Sequence, residues 1–335
     1  MTAPEFPPRL DGTGRRDWLM STLVGVGAAY RRLARYSGRR RLPVQAVDRT
    51  LPLVVTTVRP EADEVVSLRL ARPEGEPLPS WRPGAHLDLT LPSGLVRQYS
   101  LCGDPGDLSH YRVAVRRIGA ASGEVHALEP GTKVDVRGPR NAFPFVAADS
   151  YVFIAGGIGI TPILPMVRAA DARGAGWRLV CTGRSRESMP FVEELSDLPG
   201  DRVWFRPDTE YGIPASGAEL LEGVPDGASV YCCGPTPMIT GVRVDLELTG
   251  ARAVYFERFS TPPIIGGRPY TVVLRRSGHT LAVPADRSTL DVVREVLPDV
   301  AFSCRQGFCG TCAVATPDGG PVRICVDRGP AVLEL

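Results

Sequence analysis

Residues 304–325 read CRQGFCGTCAVATPDGGPVRIC, and this stretch places four cysteines within 22 positions. The other four cysteines of the 335-residue chain are scattered, at Cys102, Cys181, Cys232 and Cys233. Thiolates are soft ligands that suit iron–sulfur iron and zinc. Because the remaining cysteines are too sparse for a disulfide scaffold, the clustered ones predict a metal site and a reducing, cytoplasmic location.

The spacing of the clustered cysteines discriminates between metals. Cys304-x4-Cys309-x2-Cys312 matches the opening of the plant-type ferredoxin pattern, in which four thiolates hold a [2Fe–2S] cluster. Cys325 is the one cysteine further downstream and is taken as the fourth ligand. Zinc sites usually show paired CxxC units, so zinc is the second interpretation and buried structural cysteines are the third.

Upstream of the cysteines, the pattern of predicted secondary structure changes twice. Residues 51–145 hold short β-rich runs separated by Pro, Gly and Asp turns, which predicts an antiparallel barrel. From Tyr151, apolar strands alternate with helical patterns, which predicts a parallel sheet covered on both faces. After the linker TPPIIGGRP, a hairpin and the helix STLDVVREVL precede the cysteines.

The barrel block carries the sequence RQYS at residues 97–100. It fits the Arg-x-Tyr-Ser motif that binds flavin in the ferredoxin-reductase superfamily. Tyr99 offers a flat face to an aromatic ring, and Arg97 can neutralise a phosphate. Downstream, Arg116 and a predicted loop of small residues with Ser122 offer further phosphate contacts.

Two glycine-containing turns mark the parallel-sheet block. Gly156, Gly157 and Gly159 end a predicted strand, and the next residues, Thr161 and Pro162, open a helix whose N-terminus favours a pyrophosphate. A later strand ends in a second turn, Cys233-Gly234-Pro235. In the same superfamily, the cysteine of that second turn lies near the nicotinamide.

Residues 47–335 together resemble the phthalate dioxygenase reductase family. The resemblance implies FMN, with FAD as the alternative, and NADH, with NADPH as the alternative. It implies that Cys233 and Ser100 are catalytic, that Arg184 contacts the adenosine ribose, and that Phe256, beside Glu257, closes over the flavin. The alternatives are a solvated loop for Arg184 and a core position in its strand for Phe256. Cys325 departs from the pattern, since most relatives have a considerably longer segment after the third cysteine.

This resemblance gives an expected domain order. We expect an N-terminal extension (1–46), an FMN-binding antiparallel β-barrel (47–146), an NAD(P)-binding α/β domain (147–264) and an α+β, β-grasp ferredoxin domain (265–335). Electrons would pass from NADH to flavin to [2Fe–2S] and then to a separate terminal oxygenase, of Rieske type or a haem monooxygenase. The alternatives are a stand-alone flavin, ferric or quinone reductase, and an electron-transfer subunit of another dehydrogenase.

Charge and the N-terminal extension bear on partners. With 39 basic and 37 acidic residues, the chain has no excess of charge that would suggest a nucleic-acid partner. Apolar residues at positions 19, 23, 26, 30 and 33 predict an amphipathic helix, and arginines follow it. Arg15 and Arg16 loosely resemble a twin-arginine export signal, but the downstream arginines oppose translocation. The helix is expected to pack on the body, a partner or a membrane surface, with a poorly ordered tail as the alternative.

Overall fold

The structure is a computed structural model, and it describes residues 18–37, 50–259, 264–302, 305–307, 310–317 and 320–335. The chain divides into two units after Arg49. In the first unit, the described residues form helix α1 (Trp18–Ser37), as predicted. Leu23, Val26 and Tyr30 of its apolar face are exposed. Within the described ranges, every helix is too short or too polar to cross a bilayer.

The second unit begins with a six-stranded antiparallel sheet in the order β4-β3-β6-β1-β2-β5. An isolated bridge between Leu101 and Val113 joins the two edges and curls the sheet into the predicted barrel. The strands are β1 (Thr50–Ala62), β2 (Val65–Ala71), β3 (Ala85–Thr90), β4 (Val96–Ser100), β5 (Tyr111–Arg116) and β6 (Lys133–Asn141), and helix α2 (Ala120–His126) follows β5.

Side-chain alternation explains the curl. In β3, Leu87 and Leu89 are buried in the barrel core, whereas Asp88 and Thr90 between and after them are only half-buried. Period-two alternation gives each strand one apolar face, and curling the sheet buries these faces together.

A five-stranded parallel sheet follows, in the order β11-β10-β7-β8-β9. Its strands are β7 (Ser150–Gly156), β8 (Gly176–Gly183), β9 (Val203–Pro207), β10 (Ser229–Cys233) and β11 (Ala253–Glu257). Its helices are α3 (Ile160–Ala172), α4 (Val192–Ser196), α5 (Asp208–Tyr211), α6 (Gly217–Leu220) and α7 (Thr236–Asp245). The chain winds to one side of β7 through β8 and to the other through β10, so a crevice opens at their carboxyl ends.

The C-terminal part is a small α+β fold, as predicted. Its main sheet has the order β13-β12-β16, and a separate hairpin is formed by β14 and β15. The elements are β12 (Tyr270–Leu274), β13 (Thr280–Val283), α8 (Thr289–Val296), β14 (Ala313–Ala315), β15 (Pro321–Arg323) and β16 (Ala331–Leu333). Ser288 caps α8 by accepting the N–H of Asp291 at 3.2 Å.

The prediction of a loop of small residues around Ser122 is wrong, because these residues begin helix α2. The Ser122 hydroxyl accepts the N–H groups of Ile118 at 2.8 Å and Gly119 at 3.0 Å, and it donates to the Gly119 carbonyl at 2.9 Å. A hydroxyl that satisfies free N–H groups at a helix start stabilises that start. Small residues therefore form a compact turn here and not an open loop.

Candidate active site

The two glycine turns of the parallel sheet are in direct contact. A Cβ atom on Gly159 would lie 2.1 Å from the carbonyl oxygen of Cys233, and one on Gly234 would lie 2.9 Å from the Cα of Gly156. Only glycine permits such a backbone approach. The predicted pairing of residues 156–162 with residues 233–235 is therefore present at the crevice between β7 and β10.

Helix α3 starts from the first of these turns. Gly157 has a φ of +53°, and a short 3-10 turn leads into the helix. The Thr161 hydroxyl is buried and donates to the carbonyl of Ile158 at 2.9 Å, while Pro162 is buried beside it. Thr161 thus shapes the turn, and the dipole of α3 favours an anion at this end of the helix.

Three side chains from separate strands converge at the same edge of the sheet. The register of β10 and β11 places Cys233 opposite Glu257. The Ser100 side chain, at the end of β4, is hydrogen-bonded to the Glu257 carboxyl group. The structure therefore brings the two predicted catalytic residues together through Glu257, which connects the barrel to the parallel sheet.

Their environment keeps the Glu257 carboxyl group and the Cys233 thiol uncharged. Burial raises the pKa of Glu257 from 4.5 to about 8, against an opposing effect of the hydrogen bond to Ser100. The residue is partly exposed, but its Oε2 atom is shielded from solvent and lacks a hydrogen-bond partner among the described residues. Burial, with a smaller effect of Glu257, raises the pKa of the Cys233 thiol well above its ordinary value. At neutral pH both groups hold their protons.

His86 is a second buried polar residue near Ser100, and the sequence reasoning missed it. It lies on β3 directly opposite Ser100 and is only 5% exposed. Burial, followed by the charge of Arg140, lowers its pKa to about 4, so the imidazole is neutral. Within the described parts of the chain, neither ring nitrogen has a hydrogen-bond partner. Unsatisfied buried polar atoms on His86 and Glu257 fit a bound group with a polar edge.

The remaining residues of the RQYS motif lie on the same edge strand. Tyr99 packs against the barrel core, and burial raises the pKa of its hydroxyl to about 12. Arg97 is exposed and donates to the carbonyl of Val96 at 2.9 Å. An aromatic ring and a guanidinium two residues apart on one strand face suit a flat cofactor that ends in a phosphate.

Arg116 lies beside the first glycine turn of the crevice. Its guanidinium lies 3.7 Å from where a Cβ of Gly157 would be, and it donates to the carbonyl of Ser188. Burial, and after it the charge of Arg184, lowers the pKa of Arg116. These two predicted basic residues therefore lie together beside the first glycine turn, where they favour an anionic ligand.

Phe256 lies apart from the group around Glu257. It pairs with Cys232 and packs in the apolar cluster on the opposite face of the sheet. The guanidinium of Arg243 lies 4.8 Å from its ring centroid. This position corresponds to the core-strand alternative, because neighbouring residues of a strand point to opposite faces.

A buried ion network connects the barrel to the parallel-sheet region. Arg112 of β5 pairs with Glu61 at 2.9 Å and with Glu194 of α4 at 2.8 Å, and Glu194 also pairs with Arg168 of α3. The side chains of Arg112 and Glu61 are 12% and 5% exposed. Removing one partner of such a network leaves a buried charge unpaired, so the network fixes the two parts relative to each other.

Two of the four predicted metal ligands can be located. Cys304 and Cys309 lie outside the described residues, whereas Cys312 and Cys325 are both buried with their Sγ atoms 3.0 Å apart. That separation is too long for a disulfide bond, at about 2.05 Å. Two buried cysteine side chains at this separation are a donor set that suits iron–sulfur iron.

The β14–β15 hairpin explains how the short interval between these cysteines is bridged. Ala313 pairs with Arg323, so the chain leaves Cys312, turns, and returns beside it at Cys325. The N–H of Ile324 donates to the carbonyl of Cys312 at 3.2 Å. A tight hairpin therefore brings both ligands together without a longer segment.

Comparisons with known proteins agree with this arrangement. The model of the 2Fe-2S iron-sulfur cluster binding domain family matches residues 272–327. The putative toluene-4-sulfonate monooxygenase system reductase subunit TsaB2 of Comamonas testosteroni is 36% identical over 278 residues, covering 80% of this chain and 87% of that protein.

Two solved structures extend the comparison. Full-length CYP116B46 from Tepidiphilus thermophilus matches with a TM-score of 0.67 and 35% identity over 89% of this chain, which spans only 44% of that protein. Phthalate dioxygenase reductase, described as a modular structure for electron transfer from pyridine nucleotides to [2Fe–2S], matches with a TM-score of 0.68 and 32% identity over 85% of this chain and 98% of that one. The chain therefore belongs to the family of phthalate dioxygenase reductase and related oxygenase reductases.

Proposed function

We propose that this chain is the NADH-dependent reductase component of an oxygenase system, with FMN and a [2Fe–2S] cluster as cofactors and a separate terminal oxygenase as acceptor. The observation that carries the proposal is the meeting of Ser100, Glu257 and Cys233 at the carboxyl edge of the parallel sheet. When bound, NADH supplies an electron pair as hydride, the flavin accepts the pair, and the cluster passes electrons on singly.

The chain's own residues give each cofactor a place. The glycines of the two turns let a pyrophosphate reach the backbone at the start of α3; they are Gly156, Gly157, Gly159 and Gly234. Thr161 and Pro162 shape the first turn, and Pro235 follows the second. Arg116 and Arg184 add positive charge there. These features support binding of the nicotinamide dinucleotide in the crevice.

The barrel edge supports the flavin site. Tyr99 would present its ring to the flavin, and Arg97 would bind the FMN phosphate. Ser100 and Glu257 would hold a proton between them at the flavin site, because a carboxyl group with a pKa of about 8 is protonated at neutral pH. Cys233 would contribute a neutral thiol at the nicotinamide site and would exclude water there.

The C-terminal fold supports the cluster. Cys304, Cys309, Cys312 and Cys325 are the proposed ligands, and the thiols of Cys312 and Cys325 already converge. The proposed domains are residues 47–146 for FMN binding, residues 147–264 for nucleotide binding and residues 265–335 for cluster binding. The described cysteines form no disulfide bond, which supports the proposed location in a reducing cytoplasm.

The acceptor is a terminal oxygenase of Rieske type or a haem monooxygenase. TsaB2 belongs by name to a monooxygenase system, and another similar solved structure is that of an intact type IV self-sufficient cytochrome P450 monooxygenase. We assign docking of that partner to the exposed apolar face of α1, with attachment to a membrane surface as the alternative.

An anaerobic NADH titration of the purified protein tests the function. Flavin bleaching together with a low-temperature EPR signal of a reduced [2Fe–2S] cluster is the expected result. Flavin bleaching with no such signal would reduce the function to that of a flavin reductase. No oxidation of NADH would overturn the proposal altogether.

A further inference from the structure

Arg323 lies at the end of β15, two residues before Cys325, and its side chain bonds in two directions. Nη1 donates to the carbonyl oxygen of Gly307 at 3.1 Å. On the other side, Nε and Nη2 donate to the two carboxylate oxygens of Asp327 at 3.2 and 2.9 Å. The Asp327 carboxylate also accepts the backbone N–H of Arg323 at 2.8 Å. A guanidinium held this way has a fixed direction, although it is half exposed.

The bond to Gly307 joins two separate segments of the cysteine region. Gly307 lies in sequence between Cys304 and Cys309, whereas Arg323 belongs to the hairpin that ends at Cys325. Gly307 has a φ of +83°, and a Cβ there would lie 2.6 Å from the side chain of Val326. The backbone at Gly307 therefore contacts Val326 directly, and the hydrogen bond from Arg323 to Gly307 maintains that contact.

The charge of Arg323 also acts on the thiols. Its guanidinium is close enough to Cys325 and Cys312 to interact electrostatically with both. Four thiolates around an iron–sulfur core carry net negative charge, and reduction adds another negative charge. A nearby fixed cation therefore stabilises the reduced form, although the paired Asp327 carboxylate and solvent offset part of the effect.

We propose that Arg323, oriented by Asp327, is a positioning residue of the cysteine site: it holds the Gly307 backbone, which lies between Cys304 and Cys309 in sequence, against the Cys325 segment, and it raises the reduction potential of the cluster bound there. The inference rests on the proposed function only in that the four cysteines hold a [2Fe–2S] cluster. It goes beyond that function because it assigns both retention and potential to a residue that is not a ligand.

The test uses the full-length holoprotein and three variants. Arg323→Gln removes the charge and the two-sided contact, Arg323→Lys keeps the charge but not the fork, and Arg276→Gln is the control. Arg276 is an arginine of the same C-terminal fold, 74% exposed, that pairs with Glu334 at 3.6 Å. Two quantities are measured: the midpoint potential by EPR-monitored redox titration, and the rate of cluster loss to an iron chelator by visible absorbance.

The expected results separate the two effects. Arg323→Gln should lower the equilibrium constant for cluster reduction about tenfold, equivalent to about 59 mV for one electron, and should speed cluster loss several-fold. Arg323→Lys should retain the potential but lose the cluster faster, and Arg276→Gln should change neither quantity. Wild-type values of both quantities in Arg323→Gln, or equal changes in Arg276→Gln, would overturn the proposal.

Two further outcomes remain decisive. If Arg323→Gln takes up no cluster, Asp327→Asn replaces it, because this variant keeps the arginine and removes the carboxylate that orients it. Wild-type retention in both Asp327→Asn and Arg323→Lys then overturns the proposal. A wild-type protein without any [2Fe–2S] EPR signal overturns the cluster assignment itself, which is distinguishable from a failure confined to Arg323.

Discussion

The crevice around Glu257 and the cysteine hairpin around Arg323 are built in opposite ways. In the crevice, strand register places Cys233 opposite Glu257 and His86 opposite Ser100, and the polar groups are buried. In the hairpin, three-residue strands and a half-exposed arginine hold the thiols together. Register in a buried sheet tolerates little change, whereas a hairpin depends on a few local contacts. A substitution in the crevice should therefore impair stability and cofactor binding together. A substitution in the hairpin should be able to change the potential or the retention of the cluster separately.

Replacing a single ligand should make the largest difference between the two regions. We expect Cys325→Ser to abolish the [2Fe–2S] EPR signal and leave bleaching of the flavin by NADH intact, because Cys325 is buried beside Cys312 and far in sequence from the crevice. EPR and stopped-flow absorbance on the same sample measure both. Cys181→Ser, a buried cysteine of β8, is the matched control and should keep the signal. Loss of flavin bleaching in Cys325→Ser would show that the regions are not independent.

Gly159→Ala tests whether a substitution in the crevice impairs stability and cofactor binding together. The new methyl group would lie 2.1 Å from the carbonyl oxygen of Cys233, which is backbone and cannot move aside cheaply. Overpacking of this kind costs about 1–3 kcal/mol, so urea unfolding should show a loss in that range together with weaker NADH binding. Gly200→Ala is the control, since no atom lies within 4 Å of its Cβ position. Wild-type stability and NADH affinity in Gly159→Ala would contradict the close contact.

Glu257→Gln should separate proton handling from shape within the crevice. Glutamine has nearly the same size, but it cannot hold or release the proton that the carboxyl group carries. Flavin reduction by NADH should slow about 10²-fold, the lower end of the range for a positioned proton donor or acceptor. Stopped-flow absorbance measures the rate, and an unchanged flavin spectrum shows that the site is intact. A wild-type rate would assign Glu257 a purely structural role.

The same residue predicts a pH dependence of stability. The folded-state pKa of Glu257 is about 8, against an ordinary value of 4.5, so the folded state binds the proton more tightly than the unfolded state does. Its contribution to stability is therefore complete below about pH 4.5 and is lost as the pH rises through about 8. Urea unfolding between pH 5 and pH 9 should show a decline in wild type that is shallower in Glu257→Gln. Parallel curves would contradict burial as the cause of the raised pKa.

The sequence predicted these two regions to different extents. The glycine turns, the RQYS strand and the cysteine spacing could be recognised locally, and the barrel and the parallel sheet follow from strand and helix periodicity. The contact between Ser100 and Glu257 depends on the packing of the barrel edge against β11, which no local pattern encodes. His86 was missed for the same reason, since its partner strand decides what it faces. Helix α2 was missed because small residues resemble a loop until the Ser122 hydroxyl bonds are known.

The hairpin was open to prediction in one respect. Residues 316–320 read TPDGG, a turn signal between two short apolar runs, and the Thr316 N–H donates to the carbonyl of Gly320 at 3.2 Å. Such a turn brings its flanks together, and the flanks carry Cys312 and Cys325. The role of Arg323 could not be inferred this way, because Gly307 is 16 residues away in sequence and is brought near only by the fold.

The N-terminal helix should show the smallest effect, since it belongs to neither region. Its side chains Leu23 and Tyr30 are 57% and 73% exposed, so replacing both with glutamine removes apolar surface without opening a core. We expect Leu23→Gln/Tyr30→Gln, and deletion of residues 1–46, to slow electron delivery to a terminal oxygenase several-fold while dye reduction by NADH stays at the wild-type rate. Product formation by the oxygenase and dye reduction, assayed on one preparation, make the measurement. Equal delivery with and without the segment would remove α1 from partner docking, and losses in both assays would instead tie it to the reductase itself.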